Sequence, residues 1–217
     1  MRLGCGCLGV VVLLVAATGL GGGAWVASRL LQRPADVPLA GSPADGQRAQ
    51  QKIYEMGRAS RSAPHGAEAI VITEAELNAF LSRHVIDAVD VPLTDLAVRM
   101  VGGDGVQIYG RTTLRGVLAD PPLSNAIAAL PARWQRQNIW LRFDGTVRVE
   151  AATNGKGRML RIDLDRLWVG RQPLPAVCAR LAFDPAVLAL LRWRVPARLE
   201  TVSIEPGRAI IRPASAR

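Results

Sequence analysis

Residues 139–150, which read Ile-Trp-Leu-Arg-Phe-Asp-Gly-Thr-Val-Arg-Val-Glu, carry the pattern that decides the fold class. Large apolar side chains such as Ile139, Leu141 and Phe143 alternate with polar ones along this stretch. Residues 158–169, which read Arg-Met-Leu-Arg-Ile-Asp-Leu-Asp-Arg-Leu-Trp-Val, alternate in a similar way. Such alternation is typical of antiparallel strands with one buried and one solvated face. The sequence therefore predicts an antiparallel sheet at the centre of the protein.

Shorter strands are predicted on both sides of these two stretches. They cover residues 69–72, 96–100, 105–117, 198–205 and 208–213. Glycine-rich turns at 102–105 and 154–157 lie between neighbouring strands, so hairpins are expected there. Pro206-Gly207 joins the last two strands in the same manner.

One helix is clearly marked, over residues 73–85. Thr73 is followed three residues later by Glu76, which is the spacing of a capping box. Its apolar face is formed by Leu77, Phe80, Leu81 and Val85. Further helical regions are expected at 47–60, between Pro122 and Pro131, and from Pro175 to about Arg194. The predicted class is α+β, with one N-terminal transmembrane helix followed by a curved antiparallel sheet packed on two or three helices.

The N-terminus predicts a membrane anchor. Residues 8–26 contain no charged side chain and are long enough to cross the hydrocarbon core of a bilayer as a helix. Gly22-Gly23-Ala24 also fits a signal-peptidase site, so a cleaved signal peptide is the alternative. Either interpretation places the bulk of the chain outside the cytoplasm. Of the two, we expect the single-pass anchor in the cytoplasmic (inner) membrane.

This reading gives the chain a simple domain organisation. It comprises a cytoplasmic tail at 1–7, a transmembrane signal anchor at 8–28, a flexible tether at 29–46, a surface helix and loop at 47–67, an exported α+β domain at 68–213 and a tail at 214–217. The tether is predicted because residues 33–46 are rich in Pro, Ala, Gly and Asp. The part of the chain after residue 28 has 26 basic and 18 acidic residues, and this net charge of +8 favours contact with anionic head groups or cell-wall polymers.

The search for catalytic chemistry finds no familiar constellation. His65 and His84 have no metal-ligand spacing, and Cys178 reads as a small buried hydrophobe. Asp163 and Asp165 fall on one strand face and could in principle act in a hydrolase, but nearby arginines such as Arg148 are expected to pair with them. We therefore expect no enzyme activity, no catalytic or metal-binding residue and no cofactor. Nucleic acid is not expected as a partner outside the cytoplasm.

Two stretches resemble the YpmS-like bacterial envelope proteins, which have one membrane helix and an exported domain. Residues 73–81, Thr-Glu-Ala-Glu-Leu-Asn-Ala-Phe-Leu, resemble a helix opening of that family. Residues 169–175 and the closing strands at 202–211 resemble its end. The resemblance implies a fold like tubular lipid-binding domains, with an apolar groove. It carries no catalytic residue to this chain, and Asn78 is the polar residue of the motif whose role is worth following.

These observations favour a membrane-anchored binding protein that handles lipid or a lipid-linked glycan in an apolar groove. The candidate groove residues are Leu77, Phe80, Leu81, Ile108, Leu141 and Phe143. The alternative is a non-enzymatic structural or interaction domain of an envelope complex, with protein partners and no ligand.

Overall fold

The computed structural model describes residues 25, 28–62, 69–84, 93–117, 128, 131–151, 158–175, 192–195 and 199–213. The helices are α1 (Pro43–Ser62), α2 (Glu74–His84), α3 (Leu114–Val117) and α4 (Ala132–Gln135). The strands are β1 (Ile70–Thr73), β2 (Thr94–Gly102), β3 (Gly105–Thr113), β4 (Asn138–Ala151), β5 (Arg158–Val169), β6 (Gln172–Pro175), β7 (Arg192–Val195), β8 (Leu199–Glu205) and β9 (Arg208–Pro213).

The strands form two antiparallel sheets. The large sheet has the order β2-β3-β4-β5-β6, and β7 also pairs with β5. Strand β6 pairs with residues 166–169 of β5 and β7 with residues 158–161, so the two short strands share one edge of β5. The small sheet has the order β1-β9-β8. The α+β class and the antiparallel pairing are confirmed, but the sequence reading had expected one sheet.

The long strands β4 and β5 contain one irregularity that the alternation did not predict. Asp144 pairs with Arg166 and Gly145 pairs with Leu164, so Asp165 is the extra residue of a β-bulge. A Cβ atom at Gly145 would lie 2.6 Å from the Asp163 carbonyl oxygen. Glycine is therefore needed opposite the bulge, and the apolar positions of β5 change parity from Ile162 to Leu167.

The two sheets share a hydrophobic core at one end of the large sheet. Its buried residues are Met100, Val106, Val147 and Ile162 of the large sheet with Ile204 and Ala209 of the small sheet. We call this the far end, where the β2–β3 turn lies. A second cluster, around buried Ile139 and Leu141, lies at the near end, where β3 ends and β4 begins. The described core is thus divided along the strands.

Helix α1 begins at Pro43, earlier than the predicted start at residue 47. Ser42 precedes it: the Ser42 backbone N–H and hydroxyl both donate to Asp45 Oδ2, and the Asp45 N–H donates to Ser42 Oγ at 3.2 Å. Proline is favoured at the first helical position, so Ser42-Pro43 is a helix start. The predicted surface helix packs through small residues, with Ala49 fully buried and Gly46 3.5 Å from Ala79 when a Cβ is built on it.

Two other helix predictions have different outcomes. Residues 192–194 were expected to end a helix that begins at Pro175, but they belong to strand β7, which pairs with β5. Residues 176–191 and most of the region between Pro122 and Pro131 lie outside the described part of the chain. Within the described residues, no helix is long and apolar enough to cross a membrane, and residues 8–24, 26 and 27 of the predicted anchor are not among them.

Candidate functional site

Asn78 holds helix α2 against the edge strand of the large sheet. Its side chain is 1% exposed. The amide nitrogen donates to the Val98 carbonyl oxygen at 3.0 Å, and the amide oxygen accepts from the Val98 N–H at 2.7 Å. One side chain therefore satisfies both backbone groups of a residue that has no strand neighbour on that side. The polar residue of the motif at 73–81 therefore has a structural role, since its amide caps the edge of an adjacent strand.

Glu74 makes a similar bond one helical turn earlier. Its Oε2 accepts from the Met100 N–H at 2.9 Å, and the Met100 carbonyl accepts from the Gly207 N–H at 3.0 Å. The Gly207 carbonyl in turn accepts from the Glu74 N–H at 2.8 Å. We call Glu74 and Asn78 the edge-capping pair. Together with the β8–β9 turn, they cover the exposed edge of β2, which otherwise would present unpaired backbone groups.

The predicted capping box is present, and its glutamate also forms a buried ion pair. Glu76 Oε2 accepts from the Thr73 N–H at 2.9 Å, and the Glu76 N–H donates to Thr73 Oγ1 at 3.3 Å. Lys52 of α1 donates to both Glu76 oxygens at 2.8 Å and to the Val71 carbonyl at 2.7 Å. Burial by itself would raise the pKa of Glu76, but the hydrogen bonds from Lys52 and Thr73 outweigh it and lower the pKa.

The segment predicted as a flexible tether makes specific contacts with the polar face of the large sheet. We call residues 28–42 the N-terminal segment. Asp36 accepts a hydrogen bond from the hydroxyl of fully buried Tyr109 at 3.0 Å and lies 3.4 Å from both Arg99 and Arg142. Burial and then the hydrogen bond to Asp36 raise the pKa of Tyr109 to about 12. These contacts hold the middle of the segment on the sheet.

Beside this contact, Arg142 lies between two acidic groups and an indole ring. Its guanidinium carbon is 4.1 Å from the centroid of Trp168. Arg142 Nε lies 3.0 Å from Asp144 Oδ1, and this contact is an ion pair without a hydrogen bond between the two atoms. The Trp168 indole N–H donates to Asp144 Oδ2 at 2.7 Å. Charge attraction and stacking on the ring fix Arg142 in a position where it can also reach Asp36.

The N-terminal segment crosses the near end of the large sheet at the β5–β6 turn. Leu31 packs against the apolar cluster of Ile139 and Leu141. The Arg171 N–H donates to the Arg29 carbonyl at 2.9 Å. A Cβ on Gly170, whose φ is +58°, would lie 2.4 Å from the carbonyl oxygens of residues 29 and 30, so the close approach requires glycine. Residues 29–31, which precede the predicted domain at 68–213, therefore pack against its large sheet.

The candidate groove residues divide between the two core clusters. Leu77 and Ile108 are partly buried and pack against the far-end core, while buried Leu141 and partly buried Phe143 belong to the near-end cluster. Ile108 and Phe143 are cross-strand partners, so the apolar face is continuous between the clusters. The remaining candidates, Phe80 and Leu81, are partly buried on α2, and the Phe80 ring lies 4.7 Å from that of His84.

The acidic pair considered for hydrolysis is taken up by structural contacts. Asp163 lies 2.6 Å from Arg161 Nε and 3.6 Å from Arg148 Nε. Asp165, the bulge residue, accepts from the Thr146 hydroxyl at 3.1 Å. Among the described residues, no group of three or more His, Cys, Asp or Glu side chains could hold a metal ion. His84 ends α2, and His65 and Cys178 lie outside the described residues.

The sequence reading missed the residues that join distant segments. Lys52 and Asp36 lie in regions interpreted as a surface helix and a tether, and Tyr109 and Arg142 lie on predicted strands. A lysine on the third turn of a helix and a tyrosine among arginines on a strand give weak signals. Both become informative only when a partner far along the chain is known.

Comparison with known proteins gives no family for this chain. No protein-family model matches it, and neither a curated protein nor a solved structure matches it significantly.

Proposed function

We propose that this protein is a membrane-anchored binding protein of the cell envelope that accepts an acyl chain of a lipid, or of a lipid-linked glycan, on the apolar face of its large sheet. In this proposal, residues 8–26 are the anchor and residues 28–213 lie outside the cytoplasm. The resemblance to YpmS-like proteins in residues 73–81 supports this reading. No chemical step is included, because the polar groups of the motif are engaged in structural hydrogen bonds.

The observation that carries the proposal is the position of Leu31. This residue lies close behind the apolar segment in sequence, and it packs beside Ile139 and Leu141 at the near end of the sheet. Partly buried Leu93, Leu114, Phe143 and Val169 surround the same cluster. An acyl chain that leaves a bilayer at the anchor would reach this apolar cluster first, and burial of its methylene groups would supply the affinity.

Photo-cross-linking tests this proposal in the full chain. The protein is reconstituted in nanodiscs that contain a phospholipid with a diazirine on its acyl chain, irradiated and mapped by peptide mass spectrometry. We expect adducts on the peptides that contain Leu114 and Phe143 as well as on residues 8–26, whose labelling reports insertion. Adducts confined to residues 8–26 would overturn acyl binding while leaving the anchor intact.

A matched pair of variants sharpens the experiment. Leu114→Gln changes a partly buried residue of the near-end cluster, and Val202→Gln changes a partly buried residue packed on the far-end core. We expect the first variant to lose the adduct on Phe143 and the second to retain it, with thermal unfolding recorded for both. Equal losses in the two variants would indicate general destabilisation rather than a binding site.

The alternative function is a docking domain without a ligand. Its specific support is the exposure of two large side chains in the N-terminal third of the chain. Leu39 of the N-terminal segment is 87% exposed and Tyr54 of α1 is 66% exposed. Such side chains are individually common on surfaces, so the lipid-binding reading remains the proposal.

A further inference from the structure

The near end of the large sheet has an unusual set of charges. Strand pairing places the last residue of β3, the first residues of β4 and the β5–β6 turn together at this end. The residues attached there include the exposed arginines Arg29, Arg33, Arg115, Arg133, Arg136 and Arg171. Within the described residues, none of these six forms an ion pair with an acidic side chain, in contrast to Arg111, which pairs with Asp95 at 2.8 Å.

Three arginines toward the far end form ion pairs, although exposed Arg192, the strand neighbour of Arg161, forms none among the described residues. Arg208 pairs with Glu205, Arg148 with Asp163, and Arg161 with both Asp163 and Glu150. Basic side chains on a solvated surface are usually neutralised in this way, and such exposed pairs serve solubility more than stability. Among the described residues, further exposed arginines without an ion pair are dispersed over five different elements (Arg58, Arg83, Arg166, Arg192 and Arg212), whereas six such arginines lie together at the near end.

Tryptophans accompany the unpaired arginines. Trp134 lies between Arg133 and Arg136 on the segment before β4 and is 40% exposed, and Trp25 is 55% exposed. The Arg29 guanidinium carbon lies 4.4 Å from the centroid of the Trp25 ring. Exposed indole rings next to arginines are typical of the boundary between lipid head groups and water.

The place where the chain enters the domain indicates which kind of partner the near end contacts. Arg29 is bonded to the β5–β6 turn through its carbonyl oxygen, so residue 28 starts at the near end and the apolar residues 8–26 lead to it. The contacts of Leu31 and Asp36 attach the following residues to the sheet, which leaves little slack between anchor and domain. The near end must then lie within a few residues of the membrane surface.

We infer that the near end is a membrane-docking surface, on which the six arginines contact the phosphates of anionic phospholipids while Trp134 enters the head-group region. The inference rests on the proposed membrane anchor, and it is independent of acyl-chain binding. It fixes the domain end-on, with the strands of the large sheet rising from the bilayer and the far end pointing away. The apolar cluster of Ile139 and Leu141 then faces the lipid from a short distance.

Quenching of tryptophan fluorescence tests the orientation. The full chain is reconstituted in nanodiscs of brominated phosphatidylcholine, with or without phosphatidylglycerol, and the emission of Trp134 and Trp25 is obtained by difference from Trp134→Phe and Trp25→Phe variants. We expect Trp25 to be quenched in both lipids and Trp134 to be quenched with phosphatidylglycerol. The Trp134 quenching should decline in high salt, because added ions shorten the range of charge attraction from about 8 Å at physiological ionic strength.

Two charge-matched double variants distinguish docking from a general loss of charge. Arg133→Gln/Arg136→Gln removes two unpaired charges at the near end, and Arg148→Gln/Arg208→Gln removes two at the far end. We expect the first variant to lose most of the Trp134 quenching and the second to keep it. Quenched Trp25 with unquenched Trp134 in anionic discs would overturn docking but leave the anchor standing. Absence of quenching at both tryptophans would overturn the anchor as well, and equal losses in the two double variants would also overturn docking.

Discussion

Two sets of polar contacts, which we call joints, attach helix α2 and the N-terminal segment to the large sheet. They differ in how far apart their contacting residues lie in the sequence. The edge-capping pair, Glu74 and Asn78, attaches α2 to the edge of β2 over separations of 26 and 20 residues. The joint of the N-terminal segment brings Asp36 to Arg142, which is 106 residues away. The first joint can be recognised from a short motif, whereas the second exists only in the folded chain. This difference predicts which substitutions disturb the whole domain and which release one segment.

The largest effect is expected from Asn78→Ala. The change leaves the Val98 N–H and carbonyl without their partner in a buried position, and we expect a loss of about 3 kcal/mol in the free energy of unfolding. Urea unfolding of the full chain in detergent, followed by circular dichroism, measures it. Ser82→Ala, which removes only a part-buried bond to the Ala79 carbonyl on the same helix, serves as the control. Equal losses in the two variants would contradict the structural role of Asn78.

A smaller loss, about 2 kcal/mol at neutral pH, is expected from Lys52→Met, because the buried Glu76 carboxylate loses the cation at 2.8 Å and keeps only exposed Arg48, whose Nε lies 3.5 Å away. The pKa of Glu76 is lowered in the fold, so its ion pair stabilises the protein above the ordinary pKa of glutamate and the contribution is lost as pH falls through the folded value. The difference between wild type and variant should therefore narrow below about pH 4. Adding Glu76→Gln to Lys52→Met should recover part of the loss at pH 7. A difference in unfolding free energy between wild type and Lys52→Met that does not change with pH would contradict the Lys52–Glu76 ion pair.

Asp36→Asn tests the joint of the N-terminal segment, with an expected loss of about 1 kcal/mol in the free energy of unfolding and faster amide exchange in residues 29–40.

Burial and Asp36 raise the pKa of Tyr109 to about 12. The protonated phenol therefore stabilises the fold below its unfolded pKa of about 10, and this contribution is lost as pH rises toward 12. The substitution should move that phenol titration to lower pH, measured by ultraviolet absorbance in a Tyr54→Phe background. Asp95→Asn, in an exposed ion pair, should leave it unchanged; an unaltered titration in Asp36→Asn would count against the contact.

The smallest effect is expected at the acidic pair on β5. Asp163→Asn removes ion pairs with Arg148 and Arg161, which are both well exposed, so the unfolding free energy should change by about 0.5 kcal/mol or less. Thermal unfolding at low and high salt measures it. A loss approaching that of Lys52→Met would show that the polar face of the sheet contributes far more to stability than exposed ion pairs do.

Local patterns predicted the parts of the fold that depend on neighbouring residues. Alternation over 139–150 and 158–169 predicted β4 and β5 with nearly their observed bounds, and Thr73 with Glu76 predicted the start of α2. Residues 192–194 gave the wrong prediction, because an apolar run before them suggested a helix and their pairing with β5 makes them a strand. For the candidate site, the sequence grouped Leu77, Leu141 and Phe143 in one apolar groove. It did not predict that Leu77 would pack against the far-end core while Leu141 and Phe143 belong to the near-end cluster.

The sequence by itself determined the α+β class, the antiparallel pairing and the helix start at Thr73, because side-chain periodicity and capping act within a few residues. Only the tertiary structure decided that the strands form two sheets, that Asp165 is a bulge and that Asp36 reaches Tyr109 and Arg142. Those features depend on which surfaces meet, and the free energy of such contacts is gained only after segments far apart in the chain are brought together. The collection of unpaired arginines at the near end has the same origin, since strand order and register placed them there.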